Sequence, residues 1–247
     1  MSNVVELLEK LSKPKSVNMS SNFNRSKNSL DKQELYSAIC VAGNKNPIGL
    51  SVVMATEFGE VQHVEKLQCH LLEAFGSDKN AQALMTVAYA ELCFLPLGKN
   101  QTRIKSLFKR HGARANRSRR MIDSWKRAIK SLSKTGRHEG MIEQHELDIK
   151  TEKQALDDYA DKYSRLSCHC PRCGGTGNGA EGPCKSCNGD GYFKNNHNDW
   201  KIHLSNLNVK LDNDAAIKIE SVVSELNANK ALAIQAMKAR AKRERAD

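Results

Sequence analysis

The sequence predicts an all-α, multi-helical fold interrupted by one inserted small knuckle of short strands and loops. Three observations predict it. Apolar residues recur every three or four positions through most of the 247-residue chain. Only 5% of residues are aromatic while 27% are charged, the composition of long solvated helices rather than of one thick sandwich. Five of the eight cysteines crowd into the 20 residues from Cys168 to Cys187, among repeated glycines.

Residues 1–28 are rich in Ser, Asn and Lys and carry little apolar periodicity. They read as a flexible basic tail, with one weak helical turn over Val4–Leu11. A helical domain follows over 29–98. It opens near Leu30, where Asp31-x-x-Glu34 resembles a capping box ahead of Leu35, Ala38, Ile39 and Ala42. Gly43-Asn44-Lys45-Asn46 breaks that helix, and Asn46-Pro47 reads as an N-cap followed by proline at the first position of a short helix over Ile48–Phe58. The next helix sets Val61, Val64, Leu67, Leu71, Leu72 and Phe75 on one stripe and ends at Gly76. Ser77 or Asp78 caps its successor, which aligns Ala81, Leu84, Ala88, Leu92 and Leu95 before Pro96 and Gly98. These helices form the expected N-terminal core. His63 and His70 stand two turns apart, too far for both to reach one metal without other ligands, and read as ordinary histidines. Cys40, Cys69 and Cys93, isolated in helical patterns, read as small buried hydrophobes.

Residues 99–137 are different. They hold fourteen Lys or Arg against one acid, Asp123, a local excess of +13, while the rest of the chain carries 25 bases against 27 acids. A surface without a partner mixes its signs; this concentration is the electrostatic footprint of a polyanion. Two helices are expected, Thr102–His111 and Arg117–Leu132, with Gly112 and Asn116 flanking the turn. The second carries Met121, Ile122, Trp125, Ala128, Ile129 and Leu132 on its apolar side. The segment is helix-turn-helix-like, although Phe108 stands where a small residue usually lets two such helices cross. Lys109, Arg110, Arg114, Arg117, Arg119, Arg120, Lys126 and Arg127 are the candidate phosphate and groove contacts, with double-stranded DNA as the expected partner. A solvated basic face, or a dock for an acidic protein, is the competing reading.

Residues 138–167 read as a long polar spacer helix. Ile142, Ile149, Leu156 and Tyr163 recur at seven-residue spacing, but His145 and Glu152 interrupt the companion row, so packing on the body outweighs a coiled coil. The knuckle occupies 168–193. C-terminal helices and a basic tail fill 194–247: one helix near Asp199–Leu207, another from Asn213 with Ile219, Val223 and Leu226, then Lys238, Arg240, Lys242, Arg243 and Arg245.

The knuckle carries the sharpest chemistry. Cys170-x-x-Cys173-x-Gly175-x-Gly177 is repeated as Cys184-x-x-Cys187-x-Gly189-x-Gly191. Two thiolates separated by two residues can face one tetrahedral ion while the backbone between them turns tightly, and two such pairs complete a closed four-sulfur shell. The glycines permit positive φ, so amide groups can approach the sulfurs. Arg172 and Lys185 would offset the thiolate charge. The expected ligands of a single structural Zn²⁺ are therefore Cys170, Cys173, Cys184 and Cys187. A redox dithiol is the competing reading and explains neither the second pair nor its glycines. Cys168 and His169 fall outside the repeat and are left out of the set. No open metal position and no acid–base constellation points to an enzyme.

The motifs together resemble the late-gene antiterminator Q family of lambda-like phages. Leu11-Ser12-Lys13-Pro14-Lys15-Ser16-Val17-Asn18-Met19-Ser20 resembles that family's leader, and Val87-Ala88-Tyr89-Ala90-Glu91-Leu92-Cys93 is similar to its alanine- and tyrosine-rich helix. Both cysteine pairs with Gly191-Tyr192 match its zinc motif. The resemblance implies a DNA-binding regulator that joins RNA polymerase paused near a late promoter. It would contact the polymerase and its primary sigma factor, and would make the elongating enzyme read through terminators. Two features depart from the family: the loop between the cysteine pairs is short, and residues 97–167 have no counterpart. In relatives the reading helices lie around and after the zinc motif, which makes Lys194–Lys210 a second candidate surface. The cysteine repeat also resembles the DnaJ-type domain, so a zinc-binding chaperone or protein-interaction module is the alternative function. That domain uses four repeats and a His-Pro-Asp tripeptide, and this chain has two repeats and no such tripeptide. With no apolar stretch near the roughly 20 residues of a membrane span and no signal-like N-terminus, a cytoplasmic protein of a bacterial host cell is expected.

Overall fold

The structure, a computed structural model, describes residues 32–135, 138–180 and 182–243. The tail expected over 1–28 and the capping box opening at Asp31 lie outside the described residues. Among the described residues there are nine α-helices and one two-stranded sheet, the expected all-α architecture with a small strand insertion. None of the described helices is long and apolar enough to cross a membrane. The described residues divide into two compact units, one holding those up to Cys93 and from Leu211 onward, the other those from Phe94 to Lys210.

The first unit contains α1 (Lys32–Lys45), α2 (Pro47–Val53), α3 (Val61–Phe75), α4 (Lys79–Leu92) and the long α9 (Asn213–Arg243). Its capping follows the sequence. The Asn46 side chain accepts the Gly49 N–H at 2.8 Å, and Asp78 accepts that of Ala81 at 2.8 Å. A π-helical turn over Met54–Phe58 extends α2 before Gly59 ends it in the left-handed region. The unexpected partner is α9, which packs on α1, α2 and α4. Ile219, Leu226 and Ala233 recur at seven-residue spacing and are fully buried, and Ala233 and Met237 join Ala38, Ala42, Leu50, Val53 and Met54 in one core. The crossing requires Gly49, where a Cβ would sit 2.1 Å from the Asn229 carbonyl oxygen. The 194–247 segment read as one from sequence is therefore divided, with its long helix joining the N-terminal helices. Cys40 and Cys69 are exposed and Cys93 is half-buried, which corrects their reading as core residues. On α1, Ala38 and Ala42 take the inner face and Cys40, half a turn away, points out; on α3, Leu67 and Leu71 do the same to Cys69.

The second unit holds α5 (Gly98–Arg110), α6 (Ala113–Thr135), α7 (Glu139–Ser164), β1 (Asn178–Gly179), β2 (Gly182–Pro183) and α8 (His197–Asn206). Strands β1 and β2 pair antiparallel, Asn178 with Pro183 and Gly179 with Gly182. Helix α5 begins four residues before its expected start, because its N-terminus is capped from far along the chain. Asp199 accepts the Lys99 N–H at 3.0 Å, and Asn195 accepts that of Leu97 at 2.9 Å. Helix α6 also starts early, so the turn shrinks to His111 and Gly112, with Gly112 at φ +92°. Helices α5 and α6 contact each other, and each packs chiefly on α7. Phe108 fills the space between α5 and α7, its ring meeting Tyr159 at 6.0 Å and Tyr163 at 6.1 Å.

Candidate metal centre and cationic surface

The knuckle is built from two tight turns that hold each other. The Cys170 N–H donates to the Gly191 carbonyl and the Cys184 N–H to that of Gly177, both at 2.8 Å. Gly177 (φ +77°) and Gly191 (φ +82°) are sterically required. A Cβ on the first would lie 2.0 Å from the Gly189 oxygen, and on the second 2.4 Å from that of Gly175.

These turns bring all four expected ligands together. Cys170 Sγ and Cys184 Sγ are 4.0 Å apart, Cys173 Sγ and Cys187 Sγ 3.8 Å, and all four sulfurs lie within 4.8 Å of one another. Metal–sulfur bonds of about 2.3 Å in a tetrahedron place sulfurs about 3.8 Å apart, so the cluster fits one ion of that size. The Gly191 N–H points at Cys187 Sγ from 3.2 Å. Burial pushes the Cys170 thiol up to about 12 and raises that of Cys187, while a backbone hydrogen bond from Ser186 draws Cys184 down to about 7. Four such groups can ionise together only around a cation. The four sulfurs and their burial are therefore arranged to hold one metal ion. Cys168 and His169 lie outside the cluster. The Cys168 N–H donates to the Phe94 carbonyl at 2.8 Å and its own carbonyl accepts from Phe193 at 2.9 Å, while His169 Nδ1 meets Ser167 Oγ at 2.7 Å.

One face of α5 closes the knuckle from behind. Ile104, Cys170, Cys184, Cys187 and Phe193 form a single buried cluster, with Leu107, Phe108 and Cys173 against it. Arg103, absent from the sequence-based set, donates to the Ser186 carbonyl at 2.6 Å and lies 4.3 Å over the Phe193 ring.

The eight expected nucleic-acid contacts separate into two groups. Lys109 pairs with Asp157 of α7, and Arg114 with Glu152 and Ser118. Lys105 likewise meets Asp157 at 3.0 Å and Asp161 at 3.2 Å. The Arg114 hydrogen bond holds the Glu152 carboxyl below its usual range, and the neighbouring lysines do the same for Asp157. Arg110, Arg117, Arg119, Arg120, Lys126 and Arg127 remain exposed. Among the described residues, no carboxylate lies within ion-pair distance of these six. Arg119 donates to the Arg110 carbonyl at 2.9 Å and Arg127 to that of Asp123 at 3.1 Å, bonds that orient the guanidinium groups without neutralising them. The other face of α6, with buried Ala115 and Ser118 and half-buried Trp125 and Ile129, packs inward. The acids of α7 were the missed element; Asp157 and Asp161, four apart on a helix, were the available signal.

A family model described as conserved hypothetical protein CHP02642 matches residues 2–246 of the chain. No curated protein matches it, and no solved structure does.

Proposed function

The chain belongs to that conserved hypothetical family, and from this premise we propose that it is a zinc-stabilised, duplex-DNA-binding protein that acts in transcription. The observation that carries the reading is the outer face of α6. There the α7 acids have taken their share of the basic segment, yet Arg117, Arg119, Arg120, Lys126 and Arg127 stay exposed, with no carboxylate among the described residues within ion-pair distance. From Arg117 to Arg127 this face runs about 15 Å, long enough to track several phosphates. The ion is structural zinc, which four closed thiolates favour over harder metals. The Ile104–Phe193 cluster joins the knuckle to α5, and α5 leads through a two-residue turn into the basic helix.

The cysteine repeat and the leader residues extend the reading. Through their resemblance to the late-gene antiterminators, they support a role in which the DNA-bound chain engages bacterial RNA polymerase and its primary sigma factor and carries it past terminators.

Fluorescence anisotropy on a labelled duplex tests the binding. With about five or six phosphates neutralised, log affinity should fall against log salt with a slope of about −5. Charge reversal at Arg119 and Arg120 should lower affinity at least tenfold. No binding at 50 mM salt would end this reading. A read-through assay on a terminator template, with and without the protein, tests the second step.

A further inference from the structure

Cations also stand on the knuckle, and α5 connects them to the basic helix. Arg172, between the first two ligands, donates to Ser186 Oγ at 3.4 Å. Arg103 donates to the carbonyl of the same residue at 2.6 Å. Ser186, between the second two ligands, is thus the point where a knuckle arginine and a helix arginine converge, and Lys185 is exposed next to it. Seven residues along α5, on the same face and about 10 Å away, lies Arg110, whose carbonyl holds Arg119 of α6 at 2.9 Å. His111 lies in the field of Arg172, Arg110 and Arg119 together; burial first and these charges second depress its pKa. Among the described residues, none of Arg103, Arg110, Arg119 and Arg172 has a carboxylate within ion-pair distance. Hydrogen bonds to Ser186 and to the Arg110 carbonyl hold three of these guanidinium groups in place without offsetting their charge.

We infer that Arg172 and Arg103, gathered at Ser186, form a phosphate-contact station continuous through Arg110 with Arg119 of α6, so that the zinc knuckle is itself part of the nucleic-acid interface. The inference rests on the duplex-binding reading and extends it to residues outside the basic segment's outer face. The ligand is the phosphate backbone of a duplex. A planar guanidinium can grip a phosphate through two parallel hydrogen bonds, and two such groups at one point suit a backbone oxygen better than a base edge. Because the metal's own turns carry Arg172 and Ser186, metal loading and duplex affinity are linked: each should strengthen the other.

The test uses the full, zinc-loaded chain and a labelled duplex. Arg172→Gln and Arg103→Gln should each weaken binding about five- to tenfold and flatten the salt slope by about 1, with one zinc per chain retained. Arg172→Lys should keep most of the slope. If Arg172→Gln sheds zinc, Arg103→Gln decides instead, and an unchanged affinity and slope there overturn the inference. If the unaltered chain binds duplex and Arg172→Gln binds it with the same affinity and slope, the station is wrong while the α6 reading stands. If the unaltered chain ignores duplex altogether, the reading beneath it falls first.

Discussion

Asp199 of α8 accepts the backbone N–H of Lys99 at 3.0 Å, so a buried carboxylate caps a helix that begins a hundred residues earlier. Its second oxygen accepts from the Asn196 N–H at 3.1 Å and from Asn100 Nδ2 at 3.3 Å, serving the N-terminus of its own helix as well. Gly98 makes this possible: at φ +52° it brings the chain so close that a Cβ would lie 2.8 Å from the Asp199 backbone.

Asp199→Ala should therefore cost about 2–3 kcal/mol, from the caps lost at the Lys99 and Asn196 N–H groups. Gly98→Ala should cost about 1–3 kcal/mol through strain and contact. Urea unfolding followed by circular dichroism measures both. Unchanged midpoints would show that α5 starts without this cap.

Cys187→Ser should take metal content from one ion per chain to none and open the Ile104–Phe193 cluster, seen as dye binding to exposed apolar surface. A structural zinc contributes about 10–16 kcal/mol of apparent binding energy, most of it folding energy for so small a knuckle. Cys168→Ser should keep its metal, since that thiol lies outside the four-sulfur group. Full metal in the first variant, or none in the second, would refute the ligand set.

The Glu152–Arg114–Ser118 cluster joins α7 to α6, with the Glu152 side chain only 13% exposed. Glu152→Gln should cost about 2–3 kcal/mol by leaving the Arg114 guanidinium without its counter-charge. The native Glu152 carboxyl is held below 4.5, by Arg114 first and then Ser118. Its contribution is present above pH 4.5 and is lost as pH falls below it, because the unfolded chain takes up that proton first. An acid titration of stability should be shallower in the variant; equal slopes would count against the pair.

Burial lowers the pKa values of His63, His111 and His203 below 6.5. Lys66 adds to the effect at His63, against an opposing pull from Glu60, and the three arginines add to it at His111. The unfolded chain then binds protons that the folded one refuses, so stability should fall as pH drops through 6.5. Melting temperatures at pH 7.5 and pH 5.5 check the sign. His203→Gln should flatten the trend, since burial alone shifts that residue; a melting temperature that rises on acidification would contradict it.

Much of this protein was legible in the chain because its signals are local. The Asn46 and Asp78 caps, the stripe through Leu67 and Leu71 and the Gly76 stop need only neighbours within a turn or two. The early start of α5, the place of α9 and the exposure of Cys40 were not legible. The first depends on Asp199 far along the chain, the second on Gly49 admitting a helix nearly two hundred residues away, and the third on which face that helix covers.

The four-sulfur set was determined by the sequence itself, because a C-x-x-C pair turns its two sulfurs to one side whatever surrounds it, and glycines permit the turn. Which cations of the basic segment stay available was decided only in the tertiary structure. Arg114 meets Glu152 across 38 residues and Lys109 meets Asp157 on the same distant helix, while Arg119 and Arg120 project outward. Charge adds along a chain by composition, but it is neutralised by proximity, and proximity belongs to the fold.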